Sequence, residues 1–145
     1  MLKVFTPATH LDIERIHRLL VKCSLVNEGD VLSTAQKLML ARNYIISNTD
    51  GEVAMWVGYH DLTGDDCQMS VAIAPEWQGR IVTRRVLREM FEIPFNEFGV
   101  MNIKMSTSNP KTVVSLLSLG MKLSYDSGNV LLNKEEYERK FAMRG

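Results

Sequence analysis

The apolar positions change period several times along the chain, and each change marks an element. Leu2 to Phe5 reads as a first strand. Thr9 then stands as a helix cap, with Asp12 three residues on as a shorter stand-in for a capping-box Glu. Leu11, Ile13, Ile16, Leu19 and Leu20 recur at helical spacing and predict a helix to about Lys22. Asn27-Glu28-Gly29-Asp30 is a turn. Ser33 is expected to cap a second helix, with Ala35, Leu38, Met39 and Leu40 as its apolar face.

Strand patterns follow. Tyr44–Ser47 and Glu52–Tyr59 flank Asn48-Thr49-Asp50-Gly51, and Asp-Gly between two apolar runs signals a hairpin. Leu62 to Asp66 turns the chain again into Cys67–Ala74. These three strands predict an antiparallel meander. The period then becomes helical from Arg80 to about Ile93, with Val82, Val86, Leu87, Met90 and Phe91 facing inward, until Pro94 kinks or ends the helix. Phe95, Phe98 and Val100 are expected to be buried. Met101–Thr107 alternates as a strand, and after a helix it should run parallel to Cys67–Ala74. Asn109-Pro110 opens another helix through Leu119, which Gly120 ends. Met121–Tyr125 and Asn129–Asn133 form a last hairpin, and Lys134 to Gly145 is a charged tail with room for a short helix. The fold class is α/β: one domain over residues 1–145, its mixed sheet antiparallel first and then parallel around a crossover, with helices on both faces.

Composition narrows the function classes. The chain has 145 residues, 46% hydrophobic and 23% charged, with zero formal net charge. That is an ordinary globular composition, and attraction to anions must be local; no nucleic-acid partner is expected. No apolar run approaches the ~20 residues that cross a bilayer, so no membrane association is expected. The start lacks the apolar region of a signal peptide. Cys23 and Cys67 lack metal-ligand spacing and read as reduced thiols in a cytoplasmic protein. His10, Glu14 and His17 share one helix face, but no further ligand accompanies them, and a solvated face is the simpler reading; no metal is expected.

The candidate chemistry lies in Ala74-Pro75-Glu76-Trp77-Gln78-Gly79-Arg80-Ile81-Val82-Thr83-Arg84-Arg85. A strand that turns through Gln-Gly-Arg into a helix presents free backbone N–H groups and the positive end of the helix dipole. Arg80, Arg84 and Arg88, four apart, would share one helix face. The loop therefore reads as an anion site, and a plain strand–turn–helix connection is the alternative.

The element order, with the Ile73-Ala74-Pro75 strand end, the Gln78–Thr83 loop and the register from Asn109 to Leu119-Gly120-Met121, resembles the GNAT (general N-acetyltransferase) superfamily. The layout is also similar to small acetyltransferase-like proteins of tailed bacteriophages. The resemblance implies acetyl-CoA as co-substrate and direct acetyl transfer to the primary amine of a small molecule or protein. It implies that the backbones of Val71 and Ile73 hold the acetyl and pantetheine end. Gln78, Gly79, Arg80, Ile81, Val82, Thr83 and Arg84 would hold the pyrophosphate, and Asn109 would sit beside the pantetheine. The family's frequent proton donor, a tyrosine seven residues after that Asn, is replaced by Leu116. Ser115, Tyr125, Tyr59 and His60 are the substitutes the sequence offers. Ile81 and Thr83 replace the family's small loop residues, and with Leu116 they suit a second reading: an acetyltransferase-fold binding or structural module without transferase activity. An exposed final hairpin leaves a homodimer open.

Overall fold

In the computed structural model, residues 5–106, 124–126 and 129–140 are described. They form β1(Thr6–Pro7), α1(Ile13–Lys22), α2(Val31–Met39), β2(Arg42–Ser47), β3(Val53–Thr63), β4(Asp66–Ile73), α3(Arg84–Glu92), β5(Asn102–Ser106), β6(Ser124–Asp126), β7(Asn129–Asn133) and α4(Lys134–Lys140). The strand order is β1-β2-β3-β4-β5-β7-β6. The β1–β2 and β2–β3 pairs are antiparallel, β4–β5 is parallel, and β7 pairs antiparallel with both β5 and β6. The mixed sheet and its parallel crossover are as the periodicity predicted. The chain divides into two compact units: Met1–His60 with Val71–Glu89, and Asp61–Ser70 with Met90–Gly145.

In the first unit, the Thr9–Asp12 capping box forms as expected. The Leu11 amide donates to Thr9 Oγ1 at 3.3 Å, and the Thr9 amide donates to Asp12 Oδ2 at 2.8 Å. A single 3-10 turn, His10–Asp12, leads into α1. Arg15 ties α1 to the β2–β3 hairpin by donating to Asp12 Oδ1, Ser47 Oγ and the Gly51 carbonyl. Ile16, Leu19 and Leu20 pack with Leu38, Ile45, Val53, Trp56, Ala72 and Ala74 in one core cluster. Trp56 donates its indole N–H to Asn43 Oδ1 at 3.0 Å, and Asn43 donates onward to the carbonyls of Leu38 and Ala41. Every residue of β3 from Val53 to Tyr59 is buried, so both faces of that strand are covered.

Two local expectations are corrected, and that of a strand over Leu2–Phe5 falls largely on residues that are not described. The first described strand is Thr6–Pro7, and residues 1–4 lie outside the described residues. α2 is capped by Asp30, whose Oδ1 accepts from the Ser33 amide. An N-cap carboxylate reaches the third amide of its helix, which places Ser33 inside rather than at the cap. Met39 and Leu40 are 80% and 81% exposed; the helix stops at Met39, and Thr34 and Leu38 carry the buried side.

In the second unit, α3 passes into one π-helical turn at Ile93–Glu97, where Pro94 lacks the amide that would continue α-helical bonding. Phe95 and Val100 are buried as predicted, and Phe98 is half-buried. The ring of Tyr137 on α4 meets Phe91 and Phe95 with centroids 5.8 and 5.4 Å apart. Asn133 caps α4 by accepting from the Glu135 amide.

Candidate functional site

The connection from β4 to α3 lies wholly in the first unit. Pro75–Trp77 is one 3-10 turn, and Gln78–Arg80 a second turn. The Trp77 carbonyl accepts from the amides of both Arg80 and Ile81 at 3.1 and 3.2 Å. Gly79 sits at φ +81°, a conformation that favours glycine. Ile81 is only 2% exposed, so its side chain anchors the loop from beneath. Thr83 closes the connection: its Oγ1 accepts from the Val86 amide and its carbonyl from Leu87. That is an N-cap, and α3 starts at Arg84.

The helix predicted from Arg80 therefore begins four residues late. The Ile81–Leu87 apolar pattern misleads because Ile81 is buried from a loop, while Val82, expected inside, is 36% exposed. Arg80 accordingly leaves the shared face with Arg84 and Arg88. Its guanidinium lies 4.8 Å from the centre of the Trp77 ring and donates to the Glu76 carbonyl.

The amides of Gly79, Val82 and Arg85 have no hydrogen-bond partner among the described residues. They flank a capped helix start with exposed Arg84 beside it. Free amides, the α3 dipole and cationic side chains are the components of an anion site.

β4 supplies a second feature. The Ala74 amide donates to Ala54 on β3. Successive residues of a strand direct their backbone groups to alternate sides, so Ile73 and Val71 present theirs on the side away from β3. The parallel β4–β5 register covers Asp66–Met69, and Val71 and Ile73 lie beyond it. The Ile73 carbonyl is engaged: Cys23 Sγ donates to it at 3.2 Å and Gln78 Nε2 at 3.4 Å. Burial pushes the Cys23 thiol up, with the Ile73 hydrogen bond opposing the shift. Cysteine periodicity carried no hint of this contact, because the partners are 50 residues apart in sequence.

Tyr59 is 0% exposed, its ring edge-on to Tyr44. His60, the next residue of β3, is half-buried. Tyr125 belongs to β6 in the other unit, and Asn109, Ser115 and Leu116 lie outside the described residues. His17 is buried: Nε2 donates to the Glu28 carbonyl at 2.8 Å, and Nδ1 lies 2.7 Å from Thr34 Oγ1. Its ring joins two helices, in place of the solvated face expected from spacing. No group of three or more metal-ligating side chains occurs among the described residues, and no helix there is long and apolar enough to cross a membrane.

Three solved structures share this architecture. A mutant of the spermidine N-acetyltransferase SpeG from Vibrio cholerae matches with a TM-score of 0.72 at 13% identity, over 99% of this chain and 98% of its own. The dodecameric spermidine N-acetyltransferase from Vibrio cholerae in an intermediate state gives 0.72 at 14% identity, over 97% and 98%. SpeG in complex with manganese ions gives 0.70 at 15% identity, over 97% and 96%. The chain has an acetyltransferase fold. No protein-family model and no curated protein sequence matches the chain. The acetyltransferase fold is the one that the resemblance to GNAT members implied, and its likeness is carried by architecture at low identity.

Proposed function

We propose that this protein is an acetyl-CoA-dependent N-acetyltransferase acting on a primary amine. The observation that carries the reading is the loop over Gly79–Arg85, where unpartnered amides meet a capped helix start on an acetyltransferase fold. A pyrophosphate fits such a set of donors. The backbone edge of β4 at Val71 and Ile73 suits the pantetheine arm. In the reaction, the amine nitrogen bonds to the thioester carbonyl carbon, the C–S bond breaks, the thiolate leaves and is protonated, and the amine loses a proton. Positioning by the β4 edge and the loop supplies the main rate advantage. The first amine to try is a polyamine, because the structurally similar enzymes are spermidine N-acetyltransferases. Self-association is part of the proposal, since one of those enzymes is dodecameric.

Calorimetric titration with acetyl-CoA tests the reading. Saturable binding is expected, and no binding at millimolar concentration overturns it. Leu116 at the family's tyrosine position favours a second reading, a binding module that holds CoA without transferring acetyl groups. CoA binding without acetylation of any amine tried, spermidine included, selects that reading.

A further inference from the structure

The Ile73 carbonyl is an acceptor on the side of β4 that faces away from β3, and the protein itself fills it. An oxygen of this kind has two lone pairs. The thiol of half-buried Cys23 takes one at 3.2 Å, and the carboxamide of exposed Gln78 takes the other at 3.4 Å. Gln78 reaches back five residues because its own backbone is extended, at φ −62° and ψ 133°, and Gly79 then reverses the chain at φ +81°. The donor it places there, an amide N–H, is the same kind of donor that the two amides of a pantetheine arm carry.

We propose that Gln78 is an internal occupant of the Ile73 carbonyl, which the pantetheine arm of an acyl-CoA displaces on binding. The inference rests on the acyl-CoA reading above. Gln78 is the partner that yields, because its bond is the longer of the two and it lies on the surface. Cys23 stays, because its thiol comes from the partly buried end of the core side. Gln78 thus sets how tightly the arm is held, in place of the pyrophosphate role that the resemblance implied for it, and the amides of Gly79, Val82 and Arg85 hold the phosphates.

The test compares the wild type with Gln78→Met, which keeps the length of the side chain and removes the donor. CoA and ADP are titrated by calorimetry; ADP has the pyrophosphate and lacks the arm. Gln78→Met is expected to bind CoA about three- to tenfold more tightly, the range for one neutral hydrogen bond, with ADP affinity unchanged. In the wild type, the Gln78 side-chain amide resonances should shift much further on adding CoA than on adding ADP. Equal or weaker CoA binding by the variant overturns the displacement while leaving acyl-CoA binding intact. A parallel gain for ADP also overturns it, because the effect then lies in the loop. If neither protein binds CoA, the acyl-CoA reading falls and this inference falls with it.

Discussion

Arg80 stacks its guanidinium 4.8 Å from the centre of the Trp77 ring, and Trp77 in turn packs against the core cluster of α1, β3 and β4. The loop is thus held through one aromatic side chain with a cation on its outer face. Arg80→Ala should cost about 0.5–1 kcal/mol, the range for an exposed cation–π contact. Trp77→Ala should cost more, about 2 kcal/mol, because the ring is half-buried and a fully buried one costs roughly 3–5. Urea denaturation of both single variants and the double variant gives the coupling, expected at about 0.5–1 kcal/mol. Additive losses would remove the stack as a stabilising contact.

Thr83 caps α3 through Oγ1. Thr83→Ala should lower stability by about 1 kcal/mol, while Thr83→Ser should be nearly neutral. Under the proposed function, Arg84→Glu and Gly79→Pro should both weaken CoA binding. The first should show the larger salt dependence, since it reverses a charge beside the phosphates. Unchanged affinity in both variants would take the loop out of the site.

His17 and Thr34 are buried together, and Nε2 must carry a proton because the Glu28 carbonyl can only accept. The Nε2–H tautomer is therefore expected for the neutral ring, with Nδ1 accepting from Thr34. Nitrogen chemical shifts of the ring check this. Thr34→Val leaves Nδ1 without its partner and should cost about 1–3 kcal/mol, the range for an unsatisfied buried acceptor. A loss within error of zero would show that water replaces the hydroxyl.

Burial pushes the Cys67 thiol up to about 12, with the neighbouring Asp66 charge adding to the shift. The unfolded value is 9.0, so the folded state holds the proton more tightly. Its contribution is complete below pH 9 and is lost as pH rises toward 12. Stability should fall across that window, and Cys67→Ala should flatten the fall. Thiol labelling at neutral pH should reach Cys67 only through unfolding. Rapid labelling in native buffer would contradict its burial.

Much of the fold was legible because patterning and turn chemistry agreed. Thr9 with Asp12 gave a true capping box, and Asp50-Gly51 a true hairpin. The errors arose where two residues compete for one local role. Asp30 and Ser33 are both good caps, and only three-dimensional reach selects Asp30. Ile81 fits a helical stripe, yet its burial comes from a loop that Trp77 and Gly79 bend inward. The strand–turn–helix connection at Gln78–Thr83 was legible from sequence, but its helix start was not. The Cys23 and Gln78 contacts on Ile73 depend on tertiary placement, which no local pattern encodes. Gly58 was equally silent: the Trp56 ring lies over the place a Cβ would occupy, so Gly58→Ala should cost about 1–3 kcal/mol by overpacking.

Ile81 has a consequence for affinity. A surface turn that is floppy when empty must be ordered by its ligand, and each immobilised side chain then costs about 0.5–1.5 kcal/mol of binding free energy. Here the buried isoleucine fixes the turn while the chain folds. Under the proposed function, an anion arriving at Gly79, Val82 and Arg85 would meet donors already in place, so that little entropy would remain to be lost and affinity would depend on how well its own oxygens match a fixed template.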